Sequence, residues 1–269
     1  MSLTLDQAMR VERIAEDRLR WQVPEGWRQG RGAFGGIVVG ALVRAVLAVE
    51  DDPRRVFRSV TAEIVGPVSS GEATVRVELL RRGNAISAVR AWLVQGTADE
   101  VLAHAVVVLG ADRPDTPTWR ESELPWTSPW SEVAAVHMPP GLAPEFTQHF
   151  EYRPTGPLPF SGHPRAEAAG FIRANAVGDS RDAAILIAHA DAYWLAGITR
   201  FEGPRPAATL AFTLHAHGDL RGVDLEREPL YHSAHSAVAS AGYTGETRQL
   251  YAPNGDLLAE NHQLIAIIK

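Results

Sequence analysis

One order of elements, met twice, constrains this chain more than any single motif. In the first half the apolar stretch GGIVVGALVRAVLAVE sets Ile37, Val38, Ala41, Leu42, Ala45 and Val46 at helical spacing. Four runs of strand character follow it: VFRSVTAEI, ATVRVELLR, AISAVRAWLVQ and VLAHAVVVLG. In the second of these Val75, Val77 and Leu79 alternate with Arg76 and Glu78, the period-2 pattern of a sheet with one buried face. The second half has a strand candidate, AGFIRANAV, then a helix candidate, RDAAILIAHADAYWLAG. Four more strand runs follow: ATLAFTLHAH, PLYHSAHSAVA, YTGETRQLYA and DLLAENHQLIAIIK. The last two meet at Pro253-Asn254-Gly255, a hairpin signal. The short turn-rich connections, such as Ser69-Ser70-Gly71 and Arg82-Gly83-Asn84, make neighbouring strands antiparallel.

Four strands with one apolar face need a cover, and the long apolar helix of each half supplies it from within the concavity of a curved sheet. The predicted class is α+β in two tandem copies, with domains at 1–112 and 165–269. The Pro- and Trp-rich stretch 113–164 shows neither helical nor alternating period and is read as a linker. Trp119, Trp126 and Trp130 keep it from being a free solvated tether, so it is expected to wrap the surface, with room to add a strand to the second domain. Near the amino terminus, Thr4 and Gln7 have capping-box spacing and predict a helix start.

Composition narrows the function. With 45% hydrophobic and 22% charged residues among 269, the chain buries a genuine core. A formal charge of -6 gives no field to hold a nucleic-acid backbone or an anionic membrane. The absence of cysteine excludes disulfides, thiolate zinc sites and a cysteine nucleophile. The start is too charged for a secretory signal and no apolar run reaches membrane-spanning length, so a soluble cytoplasmic protein is expected.

The second helix candidate is apolar on nearly every face and is therefore buried, yet it carries Asp191. An ionised carboxylate in such surroundings must be paired or hydrogen-bonded. Two readings stand side by side: a structural Asp bonded to backbone amides, or a base beside a substrate cavity. Regular alternation along ATLAFTLHAH puts Thr209, Ala211, Thr213, His215 and His217 on one face and Leu210, Phe212 and Leu214 on the other. Gln263 interrupts an apolar terminal strand and needs partners if buried. His215, His217, His232 and His235 do not share one strand face, which argues against a metal site, and no cofactor motif is present. There is no G-x-S-x-G elbow for a serine nucleophile.

Taken together, these phrases resemble the acyl-CoA thioesterase II family, whose chains are tandem double hot-dog folds. Phe34-Gly35-Gly36 is similar to the family's opening of the central helix, and Arg82-Gly83-Asn84-Ala85-Ile86-Ser87 matches its Arg-Asp-Gly-x-Ser-Phe hairpin loosely. AHADAYWLAG resembles the segment carrying the catalytic Asp, which falls on Asp191; ATLAFTLHAH that carrying its Thr, which falls on Thr209; and NHQLIAI that carrying its Gln, which falls on Gln263. The resemblance implies two hot-dog domains and hydrolysis of an acyl-CoA thioester by a water that Asp191 activates while Thr209 and Gln263 hold it, without metal or cofactor. Phe34, Gly35 and Gly36 are the expected substrate-binding segment, where backbone N–H groups at a helix start face the thioester carbonyl. The likeness departs after Thr209, where the family's Asp-His pair is replaced within Leu210, Ala211 and Phe212. No carboxylate lies between Gly35 and Val49, so one active site per chain is expected. Arg31, Arg54, Arg55, Arg81 and Arg82 are candidates for the CoA phosphates. Two alternatives stay open: an acyl-CoA hydratase or dehydratase pairing Asp191 with His215 or His217, and a non-catalytic acyl-CoA-binding protein. Exposed sheet edges make a homo-oligomer an expectation as well.

Overall fold

The computed structural model describes residues 3–97, 100–126, 128–139 and 141–268. The chain opens with α1 (Leu5–Ala8), where Thr4 Oγ1 accepts from Gln7 N and Gln7 Oε1 from Thr4 N, the capping box expected from the sequence. Strands β1 (Val11–Arg13) and β2 (Arg18–Val23), a small hairpin of β3 (Arg28–Gln29) and β4 (Gly32–Ala33), and helix α2 (Gly35–Val49) follow. Then come β5 (Val56–Ile64), β6 (Gly71–Arg82), β7 (Ile86–Val94) and β8 (Val101–Gly110). The second half comprises β9 (Phe150–Pro154), β10 (Ala166–Ala174), α3 (Ala183–Ala192), β11 (Ala207–Ala216), β12 (Leu230–Ser236), the short β13 (Ala239–Ser240), β14 (Tyr243–Tyr251) and β15 (Leu257–Ile267).

The described strands form one 13-stranded antiparallel sheet in the order β1-β2-β6-β7-β8-β5-β11-β15-β14-β12-β10-β9, with β13 paired to β14 and β3–β4 apart. Read outward from the β5–β11 seam, the two halves have the same order. Each is two strands, a helix and four strands, so the repeat is deeper than the helix-plus-four-strands read from the sequence. The extra strand β2 carries a signal of its own, since Leu19, Trp21 and Val23 are buried in alternation. Strand β9 comes from the connecting stretch and pairs with β10. Within the described residues no helix is long and apolar enough to cross a membrane.

Both helices lie in the concavity, back to back. A Cβ on Gly36 would lie 3.0 Å from Ala188 Cα, and one on Gly40 would lie 3.4 Å from Ala184 Cβ, so α2 and α3 run antiparallel at a distance that small residues permit. One buried cluster holds side chains from both halves. Helix α3 starts on the Asp182 side chain, which accepts from Ala184 N and Ile185 N. It ends sooner than the apolar run, at Ala192, because Tyr193 turns extended and sends its hydroxyl to Ala169 O. Asp191 therefore sits in the last turn.

The regular alternation expected along β11 does not hold. Thr209 pairs with Ile265, but Ala211 pairs with Leu264, so Leu210 is an extra residue in a β-bulge. The bulge turns Thr209 to the inner face, with buried Ile265 and Phe212, and away from Thr213 and His215.

Candidate active site

The bulge, the end of α3 and the start of α2 bring five of the residues singled out above to one place. Asp191 is 7% exposed. Its Oδ1 accepts from Gln263 Nε2 at 2.7 Å, and the Gly36 backbone N–H donates to the same carboxylate. A Cβ on Gly35 would lie 2.9 Å from Asp191 Oδ2, so the first turn of α2 touches the acid directly. Glycine is required there by the closeness of approach. Thr209 Oγ1 donates to Gln263 Oε1 at 2.9 Å. The result is an unbroken chain from hydroxyl to amide to carboxylate.

The electrostatics of Asp191 are a balance. Burial pushes its carboxyl above the ordinary carboxylate range; the Arg248 charge, the Gln263 amide and the Gly36 N–H work against that rise. Position at the carboxyl end of α3 disfavours an anion, while the amino end of α2 favours one. Arg248 Nη1 stands 3.5 Å from Asp191 Oδ1.

Phe34 is placed differently from Gly35 and Gly36. It is the N-cap of α2, wholly buried, with its N–H on Trp27 O and its ring stacked on Phe146 at a centroid distance of 4.0 Å. Its ring props the turn that delivers the two glycines. Two polar residues of the site escaped the sequence reading. Asn261 accepts a second bond from Gln263 Nε2 at 2.8 Å and donates to Thr213 O, fixing the amide's orientation. It stands two residues before Gln263 on the same strand face, which was the available signal. Arg248 carries no local signal of burial, because charges alternating along a strand usually face solvent, yet it turns inward with Glu246 on β14.

Other candidates fall outside this cluster. His215 is exposed on the opposite face of β11, and His217 Nε2 lies 3.0 Å from Glu260 Oε2, so neither shares a carbon with Asp191 as a hydratase would need. Among the described residues no three His, Cys, Asp or Glu side chains stand close enough to hold a metal ion. Arg54 and Arg55 are tied to Asp52, and Arg55 also donates to Ser87 Oγ; Arg82 pairs with Glu50.

Residues 23–110 match the acyl-CoA thioesterase N-terminal domain, and residues 122–267 match the acyl-CoA thioesterase C-terminal domain. The chain belongs to the acyl-CoA thioesterase family. It is accordingly a thioester hydrolase built on a double hot-dog fold. A conserved protein of unknown function with hot-dog fold from Alicyclobacillus acidocaldarius superposes with a TM-score of 0.86 at 21% identity, covering 100% of this chain and 99% of its own. The tesB protein of Mycobacterium avium subs paratuberculosis gives 0.80 at 16% identity, covering 98% of both chains. The acyl-CoA thioesterase II TesB2 of Mycobacterium marinum gives 0.76 at 17% identity, again over 98% of both. At these identities the superpositions speak for the fold alone. No curated protein sequence matches the chain.

Proposed function

We propose that this thioesterase hydrolyses an acyl-CoA by direct attack of water, with Asp191 as general base and Thr209 and Gln263 as the groups that hold the water. The observation that carries the reading is the continuous Thr209–Gln263–Asp191 chain, 2.9 and 2.7 Å, against the first turn of α2. The base comes from one half of the molecule and the helix start from the other.

In this reading a water beside Asp191 gives a proton to the carboxylate as its oxygen bonds to the thioester carbonyl carbon. The tetrahedral intermediate's oxyanion faces the start of α2, where the helix dipole favours negative charge. Collapse breaks the C–S bond. The proton held by Asp191 passes to the departing sulfur, giving a free acid and CoA thiol and restoring the carboxylate. Burial suits Asp191 to this work, because a carboxyl raised towards neutrality accepts a proton from water more readily than an ordinary one.

The domain boundaries at 112/113 and 164/165 and the arginines that meet CoA belong to the same proposal. The decisive experiment follows thiol release from a panel of acyl-CoAs of different chain length, wild type against Asp191→Asn. Loss of at least about 100-fold in kcat with the fold intact is the expected result. Full turnover in the variant would remove Asp191 from the mechanism, and ligand binding without thiol release by the wild type at any chain length would leave a binding protein.

A further inference from the structure

We propose that Arg248, anchored by Glu246, is a positioning residue that fixes the carboxylate of Asp191 and keeps it ionised for turnover. The inference rests on the general-base reading above and deepens it.

Strand β14 turns Thr244, Glu246, Arg248 and Leu250 to the inner face, with Glu246 3% and Arg248 1% exposed. In register, Glu246 lies opposite Gln263 and Arg248 opposite Asn261, so an ion pair runs directly beside the amides of the site. Arg248 Nε donates to Glu246 Oε1 at 2.8 Å. Its Nη1 spans the end of α3, donating to Ala190 O at 3.3 Å and Asp191 O at 3.2 Å, and reaching Asp191 Oδ1 at 3.5 Å. Glu246 Oε2 in turn accepts from Ala196 N at 2.7 Å, tying down the segment that follows α3. The guanidinium thus holds both backbone and side chain of the acid.

A buried ion pair is seldom a gain in stability, since desolvating two charges offsets most of their attraction. The duplicated fold supplies an internal control. The counterpart of β14 in the first half is β7, whose inner face carries Ser87, Val89, Ala91 and Leu93. That half carries no charge on the inner face of this strand, and its helix α2 holds no acid. On this inner face the ion pair stands beside Asp191, where a cation at the carboxyl end of α3 also offsets the helix dipole.

The other groups packed around Asp191 do not take over this task. His189 on α3 is held down to about 4 by burial, and burial together with the Arg248 charge keeps His232 on β12 low, so both are neutral at pH 7. Strand β15 offers the uncharged Asn261 and Gln263, and α2 offers the Gly36 N–H. Of these neighbours, Arg248 and Glu246 are the charged ones.

The test is the pH profile of kcat/KM for the acyl-CoA that the wild type hydrolyses fastest, with variants Arg248→Met, Arg248→Lys, Glu246→Gln and the double variant E246Q/R248M. Arg248→Met and the double variant are expected to move the acid limb to higher pH, so that at a fixed pH on that limb the rate falls about tenfold. Glu246→Gln, which leaves the guanidinium charge unopposed, moves the limb to lower pH, and Arg248→Lys keeps it near its original place. A merely structural role predicts a lower plateau with the limb unmoved, or shifts of one sign in both single variants, and either result overturns the inference. Should Arg248→Met fail to fold, the downward shift in Glu246→Gln and the upward shift in the double variant decide the matter alone. Asp191→Asn in the same buffers separates the two levels: turnover there sinks the general-base reading, whereas a dead Asp191→Asn with unmoved limbs sinks only the role of Arg248.

Discussion

Replacing Gly35 by alanine puts a methyl carbon 2.9 Å from Asp191 Oδ2 and 3.2 Å from Ile64 Cδ1. Relief of both contacts to about 3.5 Å requires the carboxylate to withdraw by roughly half an ångström. Both clashing atoms are the far ends of side chains, and alanine regains up to about 1 kcal/mol of helix propensity over glycine, so the net effect on stability stays within about 1 kcal/mol. The effect on rate is larger, because misplacing a reacting group by about 1 Å costs roughly 100-fold. A loss of about 10- to 100-fold in kcat is therefore expected, with Tm moved by no more than about 4 °C. Gly36→Ala is the matched control. There the methyl would lie 2.5 Å from Phe34 Cζ and 3.0 Å from Ala188 Cα, a ring already stacked on Phe146 and a backbone atom of the facing helix. Neither gives way, so Gly36→Ala costs about 2 kcal/mol or more and lowers Tm by roughly 4–8 °C. Thiol release and scanning calorimetry on the two variants read both effects. Wild-type kcat in Gly35→Ala would refute the placement of the activated water beside Asp191 Oδ2.

Thr209→Val keeps the shape of the side chain but strips Gln263 Oε1 of its donor, and is expected to cost about 1–3 kcal/mol in urea unfolding together with at least about tenfold in kcat; a variant with unchanged kcat would take Thr209 out of the water-holding set. The raised carboxyl of Asp191 also predicts a pH-dependent penalty on stability. The folded protein holds this proton more tightly than the unfolded chain, so stability is full below the ordinary carboxylate range and declines as pH rises through the window up to the folded value. Asp191→Asn removes that penalty. Thermal melts at pH 7 should show the variant more stable than wild type, with the advantage shrinking towards pH 4. An advantage that grew on acidification would contradict the desolvation argument.

The sequence discloses what periodicity and turn chemistry govern. Two apolar helices, nine of the strands and the Asn254-Gly255 hairpin follow from side-chain spacing. The resemblance adds the roles of Asp191, Thr209 and Gln263, and the structure brings these three together. What stays hidden depends on register. Thr209 reaches Gln263 only because Leu210 bulges out of β11, and a one-residue insertion in a ladder leaves no mark on a strand of alternating Thr, Ala, Phe and Leu. Arg248 and Glu246 carry no local signal of burial, because charges alternating along a strand usually face solvent. Their burial depends on a sheet whose concave side holds polar groups, which no local pattern on β14 states. Strand β2 was legible in principle, but three alternating residues among arginines make a weak signal beside the stronger helical cue of Thr4 and Gln7.

The antiparallel helix pair also accounts for the asymmetry of the duplicated fold. Where the amino end of α2 meets α3, the contact is between Gly35, Gly36 and the acid Asp191. The reversed contact, where the amino end of α3 meets α2, is made by Asp182 and Arg44, whose Nε lies 3.0 Å from Asp182 Oδ2. Arg44 Nη2 also pairs with Asp6 Oδ1 at 2.7 Å, and its Nη1 donates to Asp6 O, so the first helical turn of the chain is bound over that spot. A base is not gained there by one substitution, because Arg44 ties the two carboxylates Asp6 and Asp182 together and its loss would break both ion pairs. The same ion triad that closes the second position anchors α1 to both halves. Among the described residues one half delivers a helix start and the other the acid, so the cluster needs both repeats to assemble it.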